Sequence, residues 1–121
     1  MNVSSGLGFV PLARFPVYCA TKAAVHSFCL SIRRQLRGTG VKVIEIVPPY
    51  VATDLGQTHR PGAGGLPSGS TPTPMPLEEY VAALMEELAR GMDEAAVGTA
   101  KRLVAATSGE AVRNIFAGMN P

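Results

Sequence analysis

At 121 residues and 46% hydrophobic content, the chain has material for one globular domain and no second. A net charge of +2, with basic residues scattered apart from Arg33, Arg34 and Arg37, provides no nucleic-acid surface. No apolar run approaches the ~20 residues of a membrane-spanning helix, and no basic leader with a long apolar core stands at the start, so a cytoplasmic protein is expected.

Asn2, Val3 and Ser4 read as the tail of a strand, and Ser5 opens a loop through Gly6, Gly8 and Pro11. Gly6-Leu7-Gly8 lacks the third glycine and the Lys-Ser/Thr tail of a phosphate loop, so these are turn glycines. A helix is predicted from about Pro16 to Arg37. Proline suits its first position, where an N–H would have no intrahelical partner, and Gly38 and Gly40 are stop signals. Val17, Ala20, Ala24, Phe28 and Ile32 supply its apolar stripe, which leaves length for two packing faces. Arg33, Arg34 and Arg37 then form a solvated face and a last turn that suits the helix dipole.

Cys19 and Cys29 sit ten residues apart on this helix, ~15 Å along its axis, too far for a disulfide. They read as small core residues of a reducing compartment. His26 and His59 stand alone, without Cys or carboxylate at ligand spacing, so no metal site is expected.

Val41 to Val47, VKVIEIV, is β-branched and nearly apolar on both faces, as an interior strand of a helix-covered parallel sheet is. Helix, Gly turn and strand form the αβ portion of a βαβ unit. Pro48 and Pro49 stop the strand and lead the chain out from its carboxyl end, where open α/β sheets bind ligands. From Gly56 to Pro76 roughly half the residues are Gly or Pro, which predicts a flexible loop. Leu77, Val81, Leu84 and Leu88 predict an amphipathic helix ending before Gly91. Glu94 to Gly98 suits a short edge strand, and Thr107 with Glu110 has capping-box spacing for a last helix ending near Gly118.

The chemistry gathers at Tyr18 and Lys22. Four apart on a helix, they share a face. An ammonium one turn from a phenol favours the phenolate, as does the positive end of a helix dipole. A tyrosine so tuned is a general acid/base for hydroxyl and carbonyl chemistry. The pair gains weight from its setting. Ser5 lies thirteen residues upstream, and the strand-like run ends in Pro48-Pro49-Tyr50-Val51-Ala52-Thr53-Asp54-Leu55. A serine-hydrolase elbow needs Gly on both sides of the nucleophile at alternate positions. Val3 and Leu7 flank Ser5 and Asn2 and Gly6 flank Ser4, so that pattern fails.

This constellation resembles the short-chain dehydrogenase/reductase family, in which a Ser after the fifth strand and a Tyr-x-x-x-Lys helix precede a Pro-Gly-x-Val-x-Thr turn. The resemblance implies an α/β fold: the C-terminal half of a Rossmann-type doubly wound parallel sheet, incomplete, with residues 1–121 as part of one NAD(P)-binding domain. It implies an oxidoreductase that interconverts a small-molecule alcohol and a carbonyl, with NAD or NADP as cofactor. Tyr18 would be the acid/base, Ser5 would hold the substrate oxygen, and Lys22 would stabilise the phenolate and bind the nicotinamide ribose. Tyr18, Pro48, Val51 and Thr53 would also meet the cofactor at its nicotinamide end, although Thr53 by residue type is equally a cap or turn residue. The 56–76 stretch would be the substrate loop, with His59 and Arg60 on it. Family members commonly pair through the Tyr-Lys helix, so a homo-oligomer is expected. One departure stands out: the family's usual Gly is Pro49 here, which removes a backbone N–H and fixes φ near −65°. The family's Gly-rich turn, its Asn-Asn-Ala-Gly stretch and a further catalytic Asn belong upstream of the matched region. The chain therefore reads as the C-terminal half of an enzyme, or alternatively as a truncated, inactive remnant or interaction fragment of one.

Overall fold

A β-branched run between Gly turns and prolines forms the middle of the sheet. The computed structural model describes residues 1–13, 15–55, 73–107 and 109–110. Strands β1 (Asn2–Val3), β2 (Glu45–Val47) and β3 (Glu94–Ala96) pair in parallel in the order β1-β2-β3. Asn2 lies opposite Glu45, and Glu45 in turn opposite Glu94. The strand expected from Val41 is regular only from Glu45. Asn2 N–H donates to the Ile44 carbonyl at 3.0 Å as the first rung. Before that the Val43 carbonyl accepts from Arg33 Nε at 3.3 Å.

Helix α1 (Pro16–Gln35) has proline in its first turn, and Gly38, at φ +84°, takes the chain out of the helix. Its buried residues are Cys19 and Cys29, both free thiols. Lys22, His26 and Arg33 are half-buried between and beyond them on the same side. The expected apolar stripe is not this face: Val17 is 75% and Phe28 55% exposed. Arg33 is not merely solvated either. Its guanidinium donates to the Val43 and Asp93 carbonyls, at 3.3 and 3.0 Å, clamping the far end of α1 to the sheet.

Helix α2 (Leu77–Ala89) carries Glu78 and Glu79 in its first turn and packs against β3. Leu84 and Leu88 turn partly inward while Leu77 and Val81 remain exposed. Buried Glu87 pairs with Arg90 at 3.3 Å and with Lys101 of α3 (Ala100–Thr107). Thr107, expected to start a helix, instead ends α3, its hydroxyl donating to the Leu103 carbonyl at 3.2 Å. The helix predicted towards Gly118 lies outside the described residues apart from Glu110. The core is Val47, Ala96 and Ala100, with Phe9 and Val104 packed against it. The arrangement is α/β, with a parallel sheet that corresponds to part of a Rossmann-type sheet.

Candidate active site

Parallel strands bring their carboxyl ends to one edge, and the sequence places its polar residues there. Ser4 and Ser5 follow β1, Pro48 follows β2 and Val97 follows β3. Pairing continues past the strands: Ser4 N–H donates to the Ile46 carbonyl at 2.9 Å and Gly6 N–H to the Pro48 carbonyl at 3.4 Å. That second bond ties the Ser5 loop to Pro48. Ser5 is buried and extended, and its Oγ accepts from Leu7 N–H at 3.2 Å, capping a 3₁₀ turn over Gly6–Gly8. A hydroxyl that accepts there keeps its own proton for another acceptor.

The turn lies directly on α1. A Cβ at Gly8 would stand 2.8 Å from the carbonyl carbon and oxygen of Lys22, a distance only glycine permits. On that same helix turn, Tyr18 is 40% exposed. Lys22 Nζ donates to the Val3 carbonyl at 3.1 Å and lies 5.7 Å from the centre of the Tyr18 ring. The chain from the 3₁₀ turn to α1 is also held by Cys19, whose Sγ accepts from Leu12 N–H at 3.3 Å. Pro16, Cys19 and Ala23, on the next face of the helix, line with Leu7, Pro11 and Leu12 an apolar hollow of about 350 Å³.

Of the residues singled out by sequence, Ser5, Lys22 and Pro48 are thus bonded into one edge, and Tyr18 stands beside Lys22. Val51 and Thr53 sit on the loop beyond. Val51 forms a bridge with Met75, made by Met75 N–H to the Tyr50 carbonyl (2.8 Å) and Ala52 N–H to the Met75 carbonyl (2.9 Å). In such a bridge Val51's own amide and carbonyl face the other side. Thr53 is exposed in a bend. His59 and Arg60 lie outside the described residues.

One residue packed against the sheet escaped the sequence. His26, which stands alone in sequence, places Nδ1 2.9 and 3.2 Å from the two carboxylate oxygens of Glu45. Glu45 is fully buried, and Glu94 faces it on the neighbouring strand. The polar atoms of the three residues lie within 4.8 Å of one another. The Glu45 hydrogen bond raises the His26 pKa above its ordinary 6.5, against the opposing effect of burial. The Phe9 ring lies 4.1 Å from the imidazole. Two signals were available: His26 is four residues beyond Lys22, and Glu45 is the one acidic residue in VKVIEIV.

The family model of the short chain dehydrogenases matches residues 1–64. The uncharacterized oxidoreductase DltE of Bacillus subtilis (strain 168) is 49% identical over 94 residues, which are 78% of this chain and 35% of that protein. The very-long-chain 3-oxoacyl-CoA reductase of Homo sapiens is 36% identical over 61 residues, 50% of this chain and 20% of that protein. An uncharacterized oxidoreductase of Myxococcus xanthus (strain DK1622) is 44% identical over 59 residues, 49% and 23% of the two chains. The chain therefore spans about a third of the length of the first of these relatives and less of the others. No solved structure matches it. A family match over more than half of the chain, on a parallel sheet with helices packed against it, makes this protein a member of the short chain dehydrogenase family.

Proposed function

We propose that the chain carries the proton-transfer part of an NAD(P)-dependent oxidoreductase site that interconverts a small-molecule alcohol and a carbonyl. The observation that supports this most directly is the convergence of the Ser5 loop, the Tyr18–Lys22 turn of α1 and Pro48 at one sheet edge. In the direction of reduction, Tyr18 gives its phenolic proton to the substrate oxygen as that oxygen gains negative charge. Ser5 donates its remaining hydroxyl proton to the same oxygen and holds it in reach. Lys22 keeps positive charge beside the phenol while the proton leaves. Oxidation of an alcohol reverses these transfers.

The residues fit the nicotinamide end of the cofactor. An ammonium at the edge, an exposed hydroxyl on Thr53 and an outward-facing Val51 backbone are the donors and acceptors that ribose hydroxyls and a carboxamide need. When bound, the nicotinamide supplies or accepts the hydride. The name of the human relative, a 3-oxoacyl-CoA reductase, supports carbonyl reduction as the direction to assay. A second reading, a chain without turnover that serves as an interaction fragment, draws support from the exposure of Val17, Phe28 and Met85.

Reduction of a panel of ketones and aldehydes with NADPH or NADH separates the two. We expect turnover, a ~100-fold or larger loss of kcat in Ser5→Ala, and weakened cofactor binding in Lys22→Ala but not in Ser5→Ala. Absence of both turnover and cofactor binding in the wild-type protein favours the interaction reading.

A further inference from the structure

We infer that His26 is a positioning residue for this site: through Glu45 and Phe9 it fixes the setting of α1 so that Tyr18 and Lys22 stand at the carboxyl edge. This rests on the functional reading above.

Tyr18, Lys22 and His26 occupy one row of α1, each one turn from the next. A constraint on the imidazole is therefore a constraint on the rotation and axial position of the other two. Three groups supply it. Glu45, on β2, accepts through both carboxylate oxygens and has no exposure to water. A carboxylate only accepts, so Nδ1 carries the hydrogen in both charge states of the ring. Phe9 closes the 3₁₀ turn that Ser5 opens, and its ring packs on the imidazole at an interplanar angle of 47°. One side chain thus touches the strand that leads to Pro48 and the loop that carries Ser5, and it sits on the helix of Tyr18.

Other links do not replace it. Lys22 Nζ reaches Val3 on a flexible stem and, on the functional reading, also faces ligand. Arg33 clamps the opposite end of α1, nearly two turns farther from Tyr18. The charged groups around His26 act in both senses, the carboxylates prevailing. Glu45 on β2 and Glu94 on β3 favour the imidazolium, while Arg33 on α1 opposes it; Cys29, also on α1, lies within the influence of Glu45. Phe9 contributes packing without charge. The imidazolium also answers the repulsion of two carboxylates opposite each other on neighbouring strands.

The test uses two variants of the whole chain. His26→Leu with Glu45→Leu removes the pair without leaving a buried charge, so folding survives. His26→Asn keeps an N–H directed at Glu45. We expect the double variant to lose ~10-fold in kcat and to bind cofactor more weakly, since Lys22 shifts with Tyr18, and His26→Asn to stay within ~3-fold of wild type in both. Wild-type kcat in the double variant overturns the inference, as does an equal loss of kcat in His26→Asn. Absence of turnover in the wild type refutes the functional reading instead, and amide exchange then decides the anchor. Exchange at Ser5–Phe9 and Tyr18–Lys22 should quicken ~10-fold in the double variant and not in His26→Asn. Unchanged exchange in the double variant refutes it.

Discussion

Gly8 shows how closely the site is built at the scale of one residue. Its position leaves no space for a side chain, because the backbone of Lys22 and Ala23 lies against it. Gly8→Ala should therefore destabilise the protein by ~1–3 kcal/mol, read as a lower denaturation midpoint with an unchanged slope. Stability equal to wild type would mean that the loop does not rest on α1. The place of Ser5 after a strand end and of Tyr18 and Lys22 one helix turn apart was legible in the sequence, because a helix repeat and a strand end fix their spacing. His26 and Glu45 were not, since their bond spans 19 residues and depends on which helix face meets the sheet. No local pattern carries that information.

Helix α1 makes the same point at the scale of an element. Its existence and start followed from Pro16, the apolar periodicity and the glycines after it, and the structure holds it from Pro16 to Gln35. Its inner face did not follow. The loop after β1 meets Cys19 and the sheet side meets Lys22, His26, Cys29 and Arg33, small and polar side chains that pack through specific bonds, while the most apolar stripe faces outward. Phe28→Ser should then change stability by no more than ~0.5 kcal/mol. Cys29→Leu, at a position with no exposure, should cost ~1–3 kcal/mol through overpacking. Thermal denaturation of the two variants checks both, and a reversal of their order would restore the outward stripe as the packing face. The strand shows a related limit: β-branching marks Val41 to Val47, but pairing needs a neighbouring strand, and the regular strand runs only from Glu45 to Val47.

Among the described residues, two paired groups make stability vary with pH between the acid and neutral ranges. Glu87 has its pKa lowered, first by the hydrogen bond from Lys101, so its contribution is present above 4.5 and fades as pH falls through the folded value. His26 has its pKa raised, first by the Glu45 hydrogen bond, so its contribution is complete below 6.5 and fades as pH rises through the folded value. The Tm should be highest between those two limits. Glu87→Gln should flatten the acid limb, and His26→Leu with Glu45→Leu the neutral one. A Tm that climbs steadily from pH 6 to 9 contradicts the His26 assignment. No described helix is long and apolar enough to cross a membrane. The parallel order of the strands places every site segment on one edge, and that order was legible because a helix-covered apolar strand implies a parallel crossover.

The most direct test of the account is the rate of hydride transfer to a ketone in wild-type protein and in Tyr18→Phe, with cofactor saturating. The phenol gives the proton in this account, so the variant should keep its affinity for cofactor and lose ~100-fold or more in rate. A Tyr18→Phe protein within ~3-fold of the wild-type rate would remove Tyr18 from the chemistry and contradict the proposed site.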